Sequence, residues 1–266
     1  MYRLPVAKGR FYPEDKFELQ EFIENFLEKK GKRKAKGVIV PDGEYFFTAE
    51  LLGKVYSQIE LPSTAVLIGS ARTRKDKIFA IWEKGAWVTP LGKVEVDEDF
   101  VNGVLSYSQA LMIDESIHKE EHCLEVQLPF LQILNPQIKI VPIVVSPADY
   151  AVYVDISDAI SQTIKDFGGE VLTIISADLV EYGSREEVEE KDLLVLESLK
   201  NLDEFDLLEK IHNYQIYLPG CAPLVVGMIV AKNLGVREVE VVDHLTSGDR
   251  LGYDEEVVGY AGVIFW

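Results

Sequence analysis

The chain has 266 residues, 47% of them hydrophobic and 27% charged, enough to bury about three-quarters of its unfolded surface without a disulfide or structural metal. Lys and Arg total 27 against 45 Asp and Glu, a net charge of -18; such a field repels phosphate backbones and anionic lipid, so neither nucleic acid nor a membrane is an expected partner. Cys123 and Cys221 form no CxxC pair or disulfide framework, the start MYRLPVAKGRFYP lacks a signal-peptide core, and no apolar run reaches the roughly 20 residues that span a bilayer. A cytoplasmic location is therefore expected.

In chain order, residues 14–30 set Phe17, Leu19, Phe22, Ile23, Phe26 and Leu27 at near-helical spacing, predicting an amphipathic helix that Gly31 ends. The basic run at 29–36 reads as a solvated loop. Residues 37–41 form a short apolar strand, and 48–59 the next helix, with Thr48 as its cap. The continuous apolar run at 64–69 is the pattern of a strand buried on both faces. Residues 78–82 and 86–88 suit a hairpin or edge strands. Helices follow over 98–112 and 121–134, the second kinked at Pro129. A strand at 139–145 contains Pro142, which points to a sheet edge. Then come a helix (151–167), a strand (170–176), two helices (186–200 and 203–214), a third (222–234), and strands at 238–245 and 258–266. Repeated β-then-α order predicts an α/β fold with a largely parallel sheet and helices on both faces, in one domain spanning 1–266.

Ligands of open α/β sheets bind beyond the carboxyl ends of the strands. Three such ends are polar here: Pro41-Asp42-Gly43-Glu44-Tyr45, Gly69-Ser70-Ala71-Arg72, and Ser176-Ala177-Asp178-Leu179-Val180-Glu181-Tyr182. If the strands are neighbours, Asp42, Arg72, Asp178 and Glu181 share one cleft; if not, they are loop residues on an acidic surface. His118-Lys119-Glu120-Glu121-His122 fits the inverted zinc-protease pattern, with both imidazoles on one helix face, but no third ligand is identifiable. Cys221, after Gly220 and before Pro223, suits a helix N-terminus, where a thiol can be activated; without an evident base it reads as a packed residue. No G-x-S-x-G elbow or glycine-rich phosphate loop is present.

The stretch Glu121-His122-Cys123-Leu124-Glu125-Val126-Gln127-Leu128-Pro129-Phe130-Leu131 resembles the E-H-S-L-E-V-Q-L-P-F-L signature of the Memo family. Collinear with it are Val6-Ala7-Lys8-Gly9-Arg10-Phe11-Tyr12-Pro13, Thr89-Pro90-Leu91-Gly92, Thr246-Ser247-Gly248-Asp249 and Val258-Gly259-Tyr260-Ala261-Gly262. The resemblance implies a three-layer α/β/α sandwich, a fold shared with the class III extradiol dioxygenases, and a cleft that in many members holds a metal-binding cluster of histidines and a cysteine. For that family, copper or iron redox chemistry and adaptor binding of phosphotyrosine-type peptides have both been proposed.

This chain departs from the family where the ligands would stand. The histidine of P-H-A-G-Y is Asp42, the histidine after the second strand is Arg72, and S-S-D-x-x-H keeps Asp178 but ends in Glu181. The cysteine of C-G-x-x-P is Pro219, with Cys221 two residues later, and His122 is kept. Soft and borderline metals favour imidazole and thiolate, and a guanidinium repels a cation and donates no lone pair. The expectation is therefore a degenerate site with no cofactor, where Arg72 pairs with Asp42 or Glu181, Tyr45 and Arg72 contact ligand, and extradiol chemistry is lost. Two alternatives stand beside it. One is a magnesium or manganese enzyme using Asp42, Asp178 and Glu181 as oxygen ligands with His122 as acid or base. The other is an adaptor that grips a peptide or small anion through Arg72. The sequence fixes neither the oligomeric state nor whether Cys221 reaches the cleft.

Overall fold

Short apolar runs pair into one twelve-stranded mixed sheet among the described residues, and the amphipathic stretches between them cover it. The computed structural model of the chain describes residues 1–71 and 78–266. Its first half runs β1 (Tyr2–Arg3), α1 (Lys16–Glu24), β2 (Gly37–Val40), α2 (Tyr45–Tyr56), β3 (Thr64–Ser70), β4 (Phe79–Ile81), β5 (Ala86–Thr89), β6 (Gly92–Val96), α3 (Glu98–Tyr107), β7 (Met112–Ile113) and α4 (Glu115–His118). A 3-10 turn (Glu125–Gln127) leads into α5 (Leu128–Leu134), β8 (Lys139–Val145), α6 (Tyr150–Phe167), β9 (Val171–Ser176) and β10 (Glu181–Gly183). The rest is α7 (Arg185–Asn201), α8 (Glu204–Asn213), α9 (Cys221–Asn233), β11 (Val239–Thr246), α10 (Gly248–Leu251) and β12 (Val257–Phe265).

The sheet order is β1-β5-β6-β8-β3-β9-β2-β12-β10, with β11 on β12 and β4 on β8. Its centre, β6-β8-β3-β9-β2, is parallel, and β12 closes on β2 antiparallel. Every residue of β2, β3 and β9 is buried, as continuous apolar strands require. Helices α3, α6 and α9 cover one face, and α1, α2 and α5 the other, giving the α/β/α sandwich. Close approach is built in: a Cβ on Gly227 of α9 would lie 2.3 Å from Ile175, and one on Gly262 of β12 2.5 Å from Val55 of α2.

Several boundaries differ from the sequence reading for identifiable reasons. Thr48 does not cap α2; the helix starts three residues earlier, and the Thr48 hydroxyl bonds back to the Gly43 and Glu44 carbonyls. The stretches at 78–82 and 86–88 do not pair as a hairpin: β4 joins β8 and β7, whereas β5 joins β6 and β1. Pro142 does not mark an edge. It falls where the neighbour of β8 changes from β6, paired through Ile140, to β4, paired from Ile143, a break in the ladder where a missing N–H costs little. Residues 121–134 are not one kinked helix; α5 begins only at Leu128, and Pro129 sits in its first turn, where proline is tolerated. The basic run at 29–36 is a surface loop: Arg33 pairs with Glu238 and stacks on Trp266, and Lys34 pairs with Glu170.

Candidate functional site

Parallel pairing aligns the carboxyl ends of adjacent strands. Val40 of β2 lies opposite Ser176 of β9, and Ser176 opposite Gly69 of β3. The three polar strand ends are thus neighbours. Asp42 is buried at the exit of β2, Asp178 at the exit of β9, and Glu181 at the start of β10. Asp178 Oδ1 accepts the backbone amides of Asp42 at 2.9 Å and Gly43 at 3.2 Å, which ties two strand exits together. Arg72 lies outside the described residues.

Tyr260 of β12 is the residue that sequence reasoning missed. It is buried, and the carboxylates of Asp178, Asp42, Glu181 and Glu44 all lie close enough to act on it. Burial first, and then those four charges, push its phenol far above the ordinary range, so it stays protonated. A Cβ on Gly43 would approach its ring to 3.1 Å, so glycine at 43 admits the tyrosine. The signal was present in Gly259-Tyr260-Ala261-Gly262, a motif noted only for its resemblance.

His122 borders this cleft. Its ring stacks on Phe11 with centroids 4.1 Å apart, and Nδ1 is 3.5 Å from Glu121. The next residue, Cys123, is buried, with Sγ 3.5 Å from the Ser70 carbonyl as donor, while its own carbonyl accepts the Ser176 hydroxyl at 2.6 Å. Gln127 completes the floor: its amide donates to the Pro41 carbonyl at 2.8 Å and to Ser176 Oγ at 2.7 Å, and its carbonyl oxygen accepts from Tyr56 at 3.0 Å. The signature at 121–131 therefore acts as a lock on the ends of β2, β3 and β9.

Tyr45, expected to contact ligand, is buried among Tyr12, Phe22 and Phe130, and its hydroxyl donates to the Val126 carbonyl at 2.6 Å. It is a core residue, because α2 begins at Tyr45 and turns its first residue inward. Pro219 does lie at the cleft: its carbonyl accepts Ser70 Oγ at 2.9 Å, and Gly220 packs on Ala177. Cys221 opens α9 and lies near Tyr153 of α6; burial pushes its thiol up to about 11, opposite to the activation a nucleophile needs.

The H-x-x-E-H spacing does not make a metal pair. α4 ends at His118, whose ring is boxed between Trp82 and Trp87 at 6.0 and 5.7 Å, while His122 stacks on Phe11. Burial, and next the Arg3 guanidinium, push His118 down to about 3 from 6.5, with the Ala80 backbone and Asp114 offsetting part. The unfolded chain takes up this proton below about 6.5 and the folded chain only near 3, so the His118 contribution is lost as pH falls through that window. The stability of wild type relative to His118→Phe should fall by about 1.4 kcal/mol per pH unit there. Parallel urea titrations from pH 7 to 4 check this; a pH-independent difference would refute it.

A buried acid paired with a half-buried histidine sits behind the cleft. Asp192 of α7 holds His244 Nε2 of β11 at 2.7 Å and accepts the Val180 amide at 3.0 Å. Burial raises the Asp192 carboxyl above its ordinary range, and the His244 hydrogen bond opposes that rise. The pair joins residues 52 apart in sequence, so no local pattern announces it.

The family profile described as Memo-like protein matches residues 3–264. A MEMO1 family protein of Aquifex aeolicus is 37% identical over 266 residues, covering 99% of this chain and 98% of that one. Another, from Methanobrevibacter smithii, is 34% identical over 281 residues, covering both chains fully. The crystal structure of uncharacterized protein JW3007 from Escherichia coli K12 superposes with a TM-score of 0.55 at 11% identity, over 88% of this chain and 100% of that one, a likeness of fold alone.

Proposed function

The chain belongs to the Memo family, and we propose that its strand-end cleft is a binding site that has given up the family's soft-metal chemistry. The observation that carries this reading is the donor set. Three buried carboxylates, Asp42, Asp178 and Glu181, surround the Tyr260 phenol, in a cleft whose counterparts in many family members hold histidines and a cysteine. Copper, iron and zinc favour imidazole and thiolate. Asp178 Oδ1 is committed to two backbone amides, and among the described residues no group of three or more His, Cys, Asp or Glu is arranged to hold a metal ion. The residues present do not fit a redox metal.

Buried carboxylates still need a compensating positive charge. We infer that Arg72, which follows the end of β3 by two residues in the sequence, is its source. A guanidinium offers charge-assisted, bidentate hydrogen bonds in a fixed fork and stays charged at any working pH.

Elemental analysis of purified protein tests the reading. Iron, copper and zinc should each stay below about one-tenth of an ion per chain, and Arg72→Met should destabilise the fold by about 1.5–3 kcal/mol through the unpaired carboxylates. One tightly bound ion per chain, lost in Asp42→Ala, would overturn it. So would saturable manganese binding that needs Asp42, Asp178 and Glu181, which would make the cleft an oxygen-ligand metal site.

A further inference from the structure

Beyond the cleft floor, its rim carries two tyrosines that the fold does not use. Tyr182 is the middle residue of β10, next to Glu181, and is 70% exposed. Tyr217 is 59% exposed, and its backbone carbonyl accepts the Glu181 amide at 3.2 Å. Their rings stack on each other, centroids 6.0 Å apart and planes at 29°. The register of β10 against β12 slips between Glu181 and Gly183, and Tyr182 at the slip has φ 64°, the left-handed region. A bulky side chain there costs on the order of 1 kcal/mol that glycine would avoid. The strain buries nothing, because the ring stands in solvent. A large aromatic side chain held out from a strained position beside a cleft is a contact surface for something else.

We propose that Tyr182 and Tyr217 form a stacking platform for an arginine side chain presented by a partner peptide. Phenol faces carry negative potential and attract cations, and a planar, weakly hydrated guanidinium stacks on them better than an ammonium does. The surroundings favour the same sign. From Gly183 the chain enters Ser184 and the first turn of α7, which carries Glu186 and Glu187, and the Arg185 amide is bonded to the Asp254 carbonyl, which brings in the exposed run Asp254, Glu255 and Glu256. Arg185, a cation among these acids, is already paired with Glu189, Asp249 and Asp254. The net charge of -18 extends the attraction to long range. A small free ligand is held in clefts that enclose most of its surface. An open aromatic pair suits a side chain whose peptide supplies the remaining contacts. The platform stands whichever cation neutralises the cleft carboxylates.

The test is calorimetric or NMR titration of the full chain, at low salt, with an acetylated, amidated Gly-Arg-Gly-Arg-Gly peptide. The matched peptide with citrulline for arginine keeps the shape without the charge. The arginine peptide should bind at least about fivefold more tightly than the citrulline peptide. Tyr182→Gly and Tyr217→Ala should each weaken it about threefold to fivefold, the scale of an exposed cation–π contact, and Tyr182→Phe should keep it. Tyr182→Gly relieves the left-handed strain, so its Tm should equal or exceed that of wild type, a result that separates a recognition role from a structural one. Equal affinity for the two peptides, tighter binding of an acidic counterpart, unaltered binding by the tyrosine variants, or a lowered Tm in Tyr182→Gly would each overturn the proposal. The metal analysis above reads a different property and can fail or succeed independently.

Discussion

Glu125→Ala is expected to destabilise the protein by about 3–5 kcal/mol, the range for removing one partner of a buried ion pair. Glu125 is fully buried and all its acceptor capacity is used. Oε2 takes the Arg3 guanidinium at 2.5 Å and the Val6 amide at 2.8 Å; Oε1 takes the Ala7 amide at 2.9 Å and the Tyr12 hydroxyl at 2.5 Å. Alanine leaves all four donors without an acceptor in the core. Arg3 is equally buried: its remaining donors hold the carbonyls of His118 and Glu121 at 2.6 Å each, and its plane lies 4.1 Å over Trp87. Denaturant titration measures the loss, and Glu125→Gln, which keeps the shape and one of the two acceptor oxygens, should cost less than alanine. Replacing both partners, Arg3→Met with Glu125→Leu, should recover a substantial part of the loss, because no charge is then stranded. The cluster also pins the segment that carries Phe11, on which His122 stacks. Limited proteolysis after Lys8 or Arg10 should therefore accelerate in Glu125→Ala. A change under 1 kcal/mol with unaltered proteolysis would show that the pair is replaceable by water.

The same cluster explains where the sequence was readable and where it was not. The apolar run at 64–69 announced a strand buried on both faces, those at 139–145 and 170–176 announced strands, and the strand-end convergence of Asp42, Asp178 and Glu181 followed from parallel pairing. Periodicity failed at 121–134 because Arg3, more than a hundred residues away, takes the His118 and Glu121 carbonyls at the point where the helix would continue. It also failed for β10, three residues long and bulged, whose existence depends on pairing with β12. Tyr260 enters the cleft from an antiparallel strand that a strand-end rule does not consider. Local pattern reports which face a residue turns to the core. It does not report which distant polar group will claim its backbone.

Gly259→Ala should be as damaging, through a contact that has no sequence signature. A Cβ at 259 would lie 1.8 Å from Asp192 Oδ2 and 2.6 Å from its Cγ. The carboxylate cannot step aside, since it is fully buried with one oxygen on the Val180 amide and the other on His244. Either α7 lifts from β12 or both hydrogen bonds break around a carboxyl group that burial already disfavours as an anion, and the cost is about 3–5 kcal/mol. The backbone of Gly259 also exchanges bonds with Leu179 and Val180, 2.9 Å from its carbonyl and 2.8 Å from its amide. These two residues lie between Asp178 and Glu181, so the displacement reaches the cleft. Removing the obstacle should remove most of the damage. In an Asp192→Ala background, Gly259→Ala should cost at least about 2 kcal/mol less than it does alone, a non-additivity expected of residues in direct contact. Additive losses in that cycle, measured by denaturant titration, would mean that glycine at 259 serves the backbone and not the Asp192–His244 pair. Strong coupling would make that pair the buttress of the carboxylate cleft: the small residue on β12 admits the acid of α7, the acid holds the Val180 amide, and the held loop sets Asp178 and Glu181 against Tyr260.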